Sequence, residues 1–421
     1  MAVFSVVKLS GLEGAKRIDP EYYKPVFNDL KTLYKFNIRK LNVISDIAYG
    51  TTPPGGIFEE TGLPFVRSQN FIMGMVNKAE IVFCNSKFHE QNKKSAIRPG
   101  DILFATVGGT IGQIAIVQDS IDEGNINQNI ARVRILDSSI NPYYAGLFFL
   151  SKYGQLQIFR FVTGNAQAYL NSFQIGSFKI PVLSKQIQDE LGSCFKKVED
   201  FVENSHFLYS QAENLLLEEL GLKDFKPEYE KTYTANLSNT LSAHRIDAEY
   251  FQPAYEEVVE KIKNYKNGFA TLLKSVENVK PELDPTKYPD RIFSYVELAD
   301  IDSSIGVIHS VNEVKGEEAP SRARRLLKEG DVIVSSVEGS LEKVALIDKE
   351  HDACLASTGF FQFRPLDVMP EVLLVLSKTI VLQSQLKKKC SGTILTAIPK
   401  KSLGDIVMPL FLYQPSKKSL R

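Results

Sequence analysis

The sequence predicts an α+β protein in which two similar mixed α/β domains are joined by a long helix with a coiled-coil pattern. Two observations support this prediction. One is an internal duplication, and the other is a heptad pattern in the segment between the two copies. A repeat this long is typical of a duplicated domain, because solenoid units run to roughly 20–50 residues.

The duplication rests on three motifs that recur in the same order. Arg17-Ile18-Asp19-Pro20-Glu21-Tyr22 returns as Arg245-Ile246-Asp247-Ala248-Glu249-Tyr250. Gly100-Asp101 returns as Gly330-Asp331, and the segment 176–181 returns as 404–409. The spacing stays between 228 and 230 residues over a whole domain, which indicates two copies of one fold.

Each copy shows the same order of expected elements. Apolar residues at helical spacing predict an amphipathic helix over 20–34 and another over 248–265. Short segments rich in β-branched and aromatic residues follow, and they predict strands. In the middle of each copy, at 101–117 and 331–347, two such segments flank a glycine-bearing turn. In these turns a tight strand connection is more typical than a phosphate-binding loop, because the full spacing of a nucleotide loop is absent.

Between the copies, eleven residues follow alternating steps of four and three, and nine of them are apolar. The pattern comprises Ile187, Leu191, Cys194, Val198, Phe201, Ser205, Leu208, Ala212, Leu215, Glu219 and Leu222. It predicts one long helix with a heptad seam, ended by Gly221. A second stripe at Phe195, Val202, Tyr209 and Leu216 widens the apolar face, so we expect this helix to contact more than one partner.

Composition narrows the class of protein. The 421 residues contain 50 Lys plus Arg and 50 Asp plus Glu, so only local patches would attract a polyanion. The four cysteines lie far apart and suggest neither a zinc site nor a disulfide framework, which favours a reduced, intracellular protein. No apolar run reaches the roughly 18 residues of a membrane span, and the apolar patch at 2–7 lacks a basic lead. We therefore expect a soluble cytoplasmic protein with no membrane contact.

Two domains of this kind, each opening on Arg-Ile-Asp-x-Glu-Tyr and separated by a heptad helix, resemble the specificity subunits of type I restriction-modification systems. The resemblance implies a pseudo-twofold arrangement of two target recognition domains, each recognising one half of a split DNA sequence. It places the first domain at 1–183, a central conserved helix at 184–222 that spaces the domains and docks methyltransferase subunits, and the second domain at 223–410.

The resemblance also has a departure. The family usually ends in a second long helix that pairs antiparallel with the central one, whereas the tail 411–421 is too short to form it. Another subunit, a second copy of this chain or the methyltransferase would then cover the heptad seam, or the chain is a shortened form. The seam residues predicted to form a subunit interface are Ile187, Leu191, Val198, Phe201, Leu208 and Leu215.

Base edges are recognised by Arg, Lys, Asn, Gln and hydroxyl side chains on loops, and phosphates by lysines and arginines. Matching loops of the two copies offer such side chains. The predicted DNA-binding residues of the first copy are Thr51, Thr52, Arg67, Ser68, Gln69, Asn70, Asn127, Asn129, Asn165 and Gln167. Those of the second copy are Arg322, Arg324, Arg325, Ser336, Ser340, Thr358 and Thr393. Because the loops differ between the copies, the predicted target is bipartite and asymmetric.

Other classes of function remain open. Asn141-Pro142-Tyr143-Tyr144 is similar to the Asn-Pro-Pro-Tyr motif of amino-methyltransferases, but we interpret it as a helix start. Asp290 followed by Glu313-Val314-Lys315 fits a loose metal-dependent nuclease pattern. A non-catalytic scaffold that binds proteins through two similar domains is the other alternative.

We expect a chain without catalysis of its own. The resemblance assigns S-adenosylmethionine, ATP and magnesium to partner subunits, namely the methyltransferase and the restriction and translocation subunits.

Overall fold

The computed structural model describes residues 6, 20–78, 81–162, 169–391 and 397–411. The chain divides into two compact units, residues 1–203 and 204–421. The finer borders expected from the sequence, with a separate central segment at 184–222, stay predictions. Several residues named above lie outside the described ones, namely Arg17, Ile18, Asp19, Asn165, Gln167, Thr393 and the tail from 412 onwards.

The first unit mixes short strands with helices. Its strands are β1 (Ile38–Lys40), β2 (Ser45–Tyr49), β3 (Leu63–Val66), β4 (Phe71–Ile72), β5 (Met75–Val76), β6 (Val82–Cys84), β7 (Ala96–Ile97), β8 (Ile102–Ala105), β9 (Ile114–Ile116), β10 (Gly124–Ile126), β11 (Ile130–Ile135) and β12 (Lys179–Pro181). Its helices are α1 (Leu41–Ile44), α2 (Ser86–Gln91), α3 (Pro142–Leu150), α4 (Lys152–Val162), α5 (Ser172–Gly176) and the first part of α6 (Lys185–Glu219).

The strands of the first unit form three sheets. The larger sheets have the orders β2-β11-β8-β9-β5-β4 and β6-β3-β10-β7, and β1 pairs with β12. The predicted strand pair around the glycine turn is confirmed as β8 and β9, which are antiparallel. Ile102 and Phe104 on β8 face a core with α3 and α4, while Leu103 and Ala105 face a second core. This alternation follows from the two-residue period of a strand.

The second unit repeats this plan. Its helices are the rest of α6, α7 (Leu237–Ala243), α8 (Pro253–Lys263), α9 (Leu272–Ser275), α10 (Pro370–Lys378) and α11 (Ile380–Lys389). Its strands are β13 (Phe269–Thr271), β14 (Val276–Asn278), β15 (Ile292–Val296), β16 (Ile301–Asp302), β17 (Val307–Ile308), β18 (Asn312–Lys315), β19 (Ala323–Leu326), β20 (Val332–Ser335), β21 (Val344–Leu346), β22 (Leu355–Ser357), β23 (Phe360–Pro365) and β24 (Val407–Pro409).

The sheet orders of the second unit are β14-β23-β20-β21 and β18-β15-β22-β19, with the pairs β13-β24 and β16-β17. They match β2-β11-β8-β9, β6-β3-β10-β7, β1-β12 and β4-β5 of the first unit. The predicted fold class is therefore confirmed: two similar mixed units, with a long helix between the two repeats in the sequence. The pseudo-twofold arrangement of the two units stays a prediction.

A proline interrupts the helix predicted at the start of each copy. The observed segments are 3-10 helices at Pro20–Tyr23, Pro25–Lys35 and Ala248–Phe251, followed in the second copy by α8. Lys24 and Gln252 precede the prolines with ψ angles of 141° and 124°. The prediction of one continuous helix was wrong, because a proline ring disfavours helical backbone in the residue before it.

The Gly-Asp motif recurs because it forms the same ion pair in both units. Asp101 accepts hydrogen bonds from Nε and Nη2 of Arg134 at 2.8 and 2.7 Å. Asp331 accepts from the same atoms of Arg364 at 2.9 and 3.0 Å. Both carboxylates are 1% exposed. The preceding glycines have φ angles of 81° and 85°, a backbone conformation that favours glycine.

Candidate nucleic-acid interface

In the first unit, two of the predicted DNA-binding loops begin at the same sheet edge. Strands β3 and β10 are parallel neighbours, with Val66 opposite Ile126. The next residues are Arg67 and Asn127, and the Asn127 N–H donates to the Val66 carbonyl at 3.2 Å. Because parallel strands end at the same edge, the loops at 67–69 and 127–129 lie side by side.

A third loop joins this edge. The Thr51 N–H donates to the Ile126 carbonyl at 3.0 Å, and the Thr52 hydroxyl donates to the side-chain carbonyl of Gln128. Gly50 permits this approach, because a Cβ there would lie 2.1 Å from the Asn127 carbonyl oxygen. We call residues 51–52, 67–69 and 127–129 the first polar edge. The structure thus brings together candidates that lie about 75 residues apart in the sequence.

The second unit has an equivalent edge. Strands β15 and β22 are parallel with Val296 opposite Ala356, and Glu297 and Ser357 come next. The Thr358 N–H donates to the Arg322 carbonyl at 2.8 Å, so the arginine loop adjoins this edge. We call residues 297, 322 and 357–358 the second polar edge.

Asn70 and Asp300 support these edges from inside. The N–H of Arg67 donates to Asn70 Oδ1 at 2.9 Å, and the N–H of Glu297 donates to Asp300 Oδ2 at 2.8 Å. Asn70 is 0% exposed and Asp300 is 7% exposed. Each side chain caps a 3-10 helix, Ser68–Asn70 or Leu298–Asp300. Asn70, predicted to bind DNA, is therefore buried and supports the edge from within the fold.

The three arginines of the second copy have different environments. Arg325 is 1% exposed and donates to the Val279 carbonyl at 2.7 Å, and burial lowers its pKa to about 10. Arg324 donates to the Ser321 carbonyl and lies 2.8 Å from a carboxylate oxygen of Asp284. Arg322 is exposed. Arg325 thus supports the fold from inside, and Arg322 is the member of the cluster best placed for a phosphate.

Of the remaining predicted residues, some lie on a polar edge and others stabilise turns next to it. Ser68 is half-buried and Gln69 is exposed beside Arg67. The Ser336 hydroxyl donates to the Gly359 carbonyl at 2.7 Å, and the Ser340 hydroxyl donates to the Val337 carbonyl at 3.1 Å. These two serines stabilise the turns next to the second polar edge. Gln128 and Glu297 belong to the edges but were absent from the predicted set.

The long helix α6 presents two different faces. The predicted interface residues Ile187, Leu191, Val198, Phe201, Leu208 and Leu215 are all exposed. The second stripe instead faces the protein. Phe195 is 5% exposed and stacks on Tyr143 with ring centroids 5.5 Å apart. The six predicted interface residues thus share the exposed face of α6, and their role in a subunit interface stays a prediction.

Polar contacts attach both ends of α6. Gln188 is 1% exposed, accepts from the Asn141 N–H at 2.8 Å and donates to the Leu183 carbonyl at 2.9 Å. Glu199, 5% exposed, accepts from the Ser120 N–H at 3.0 Å. In the second unit, the Tyr265 hydroxyl donates to Glu219 at 2.9 Å. The helix is thus part of each unit, not a detached linker.

The segment Asn141-Pro142-Tyr143-Tyr144 begins a helix in the structure. Asn141 accepts hydrogen bonds from the N–H groups of Tyr143 and Tyr144 and caps α3, which confirms the helix start. Within the described ranges, no group of three or more His, Cys, Asp or Glu side chains is arranged to hold a metal ion. None of the helices in the described part of the chain is long and apolar enough to cross a membrane.

Residues 35–214 match the family model of the type I restriction modification DNA specificity domain. The MjaVIII type I specificity subunit of Methanocaldococcus jannaschii is 20% identical over 172 residues. That alignment covers 40% of this chain and 40% of the relative, so the matched part is about two fifths of the relative's length.

Two solved structures are also similar. The HsdS subunit of Thermoanaerobacter tengcongensis is 32% identical over 34% of this chain and 37% of its own, with a TM-score of 0.31. The type I S subunit of M. genitalium is 13% identical over 89% of this chain and 84% of its own, with a TM-score of 0.40. The first repeat of the chain is thus similar to the DNA specificity domain of type I restriction-modification systems.

Proposed function

We propose that this chain is the non-catalytic DNA-recognition subunit of a type I restriction-modification complex. Each repeat recognises one half of a bipartite, asymmetric DNA target through its polar edge. The observation that supports this most is the convergence of separate polar loops on equivalent edges of two similar scaffolds. The scaffold contacts are repeated while the edge residues differ, as two different half-sites require.

The partners follow from the same proposal. The exposed seam of α6 docks methyltransferase subunits, because apolar residues at heptad spacing pack against another helix. Self-association of two copies through α6 is the other use of this seam. The methyltransferase supplies S-adenosylmethionine chemistry, and the restriction and translocation subunits supply ATP- and magnesium-dependent steps. The chain itself contributes recognition.

Selection from a pool of random double-stranded DNA tests this function. The full chain should enrich two short, different sequence elements at one fixed separation. Binding should weaken steeply with salt, since a protein with six to ten phosphate contacts loses about 10³- to 10⁵-fold in affinity between 50 and 200 mM salt. One contiguous motif would contradict the two half-sites. Weak, salt-insensitive binding without enrichment would favour the protein scaffold instead.

A further inference from the structure

Arg67 and Glu297 occupy the same place in the two units. Each follows the last residue of a parallel strand and precedes a 3-10 helix. Their backbone angles are nearly equal, with φ −114° and ψ 156° for Arg67, and φ −112° and ψ 174° for Glu297. Each N–H is held by the buried side chain three residues later. The two side chains therefore leave equivalent backbones in the same direction.

The surroundings orient each side chain. The Arg67 guanidinium lies over the ring of Phe58, with Cζ 5.7 Å from the ring centroid. A cation–π contact of this kind favours one placement of the guanidinium over the face of the ring. Glu297 is exposed, next to the buried Tyr295. Burial raises the pKa of the Tyr295 hydroxyl, and the nearby charge of Glu297 raises it further.

The two side chains have opposite hydrogen-bonding character. A guanidinium only donates, and an ionised carboxylate only accepts. In the major groove guanine presents two acceptors, O6 and N7, to which arginine binds in bidentate fashion. Cytosine presents an amino donor, N4, from which a carboxylate accepts. A carboxylate at a DNA surface repels phosphates, so the position of Glu297 at the edge favours a DNA base that presents a donor.

We propose that Arg67 and Glu297 are matched specificity-determining residues: Arg67 recognises a guanine in one half-site, and Glu297 recognises a base that presents an amino group, cytosine foremost, in the other. This inference rests on the proposed function, since it concerns the chemistry of the same two edges. It assigns to Glu297 a role in recognition instead of a structural one.

Random-pool selection with the full chain and its variants Glu297→Gln, Glu297→Arg and Arg67→Gln tests the proposal. Glu297→Gln should relax the preference at one amino-bearing position of one half-site by about 5- to 100-fold. Glu297→Arg should change that position to guanine. Arg67→Gln should relax a guanine in the other half-site by a similar factor and leave the first half-site unchanged.

Glu260→Gln is the matched control, because Glu260 is exposed on α8 and away from the edge, and the same charge is removed. Its selected sequence should equal that of the unmodified chain. An unchanged sequence for Glu297→Gln, or relaxation at a guanine or thymine, would overturn the inference while leaving the proposed function intact. Failure of the unmodified chain to select two elements would overturn both.

Discussion

The pairs Asp101–Arg134 and Asp331–Arg364 explain why two adjacent residues recur so faithfully in a duplicated sequence. Each aspartate immediately precedes the strand that leads into the glycine turn, and each arginine lies on the neighbouring antiparallel strand. The side chain of Arg134 is 22% exposed and that of Arg364 is 35% exposed. In the second unit Gln362 also donates to Asp331, at 2.7 Å. A buried carboxylate with several charged or amide donors tolerates little replacement.

Replacement of either aspartate by asparagine should destabilise its own unit. Asp101→Asn leaves a guanidinium without its carboxylate, and we expect a loss of about 2–4 kcal/mol in the free energy of unfolding, since breaking a buried pair costs about 3–5 kcal/mol and these arginines stay partly hydrated. Asp331→Asn should behave alike. Denaturant unfolding followed by circular dichroism measures the effect.

The control for this prediction is Asp29→Asn. Asp29 and Lys152 form an exposed ion pair at 2.7 Å. Exposed pairs contribute about 0–1 kcal/mol, so this variant should unfold almost as the unmodified chain does. An equal loss of unfolding free energy for the buried and the exposed aspartates would show that the repeated ion pairs stabilise the protein no more than an exposed pair does.

At the scale of elements, the heptad pattern predicts a longer helix than the structure contains. Helix α6 ends at Glu219, and Gly221 follows with a φ angle of 65°. Leu222, the last position of the pattern, is 2% exposed and belongs to the core of the second unit. Leu215, one period earlier, is 69% exposed. The same sequence pattern therefore covers a surface residue and a core residue.

This contrast gives a matched pair of variants. Leu222→Ala should lower the free energy of unfolding by about 2–5 kcal/mol, as truncation of a buried leucine leaves a cavity. Leu215→Ala should change it by less than about 0.5 kcal/mol, the usual range for surface substitutions. Thermal or denaturant unfolding distinguishes them. A large loss for Leu215→Ala would indicate that the seam is already covered within the chain.

Sequence patterns predicted those features that depend on periodicity or repetition. The duplication predicted equivalent strands, and the heptad spacing predicted α6. Burial of single polar residues was not predictable, because Asn70 and Arg325 stand beside polar residues that are exposed or half-buried. The burial of Gln157 and Gln385 was likewise not predictable from the sequence. Each is buried and forms two hydrogen bonds to the backbone of the last strand, with Lys179 or Val407, yet a glutamine in a polar helix carries no such signal.

At the scale of the whole molecule, comparison of the two repeats distinguishes contacts that both share from side chains that differ between them. The hydroxyls of Thr106 and Ser336 donate to backbone carbonyls in the loops that follow β10 and β22, at 2.9 and 2.7 Å. Arg67 in the first unit corresponds to Glu297 in the second, and Asn127 corresponds to Ser357. Contacts that hold a loop are thus repeated, whereas the side chains presented by that loop are not. Such a division lets the side chains of one polar edge change without loss of the fold.

Exchange of the first polar edge within 40–180 tests this division. In the exchanged chain, residues 67–69 carry the side chains of 297–299, and residues 127–128 carry those of 357–358. This chain should keep its second half-site and change its first. The physical reason is that the exchanged side chains lie at the surface of one unit, while Asn70 and the strands that hold them remain. Selection from random double-stranded DNA measures both half-sites at once.

Asn70→Asp is the control, because it preserves the cap as Asp300 does and should leave both half-sites as they are. A change of both half-sites on exchange of one edge would contradict separate recognition by the two units.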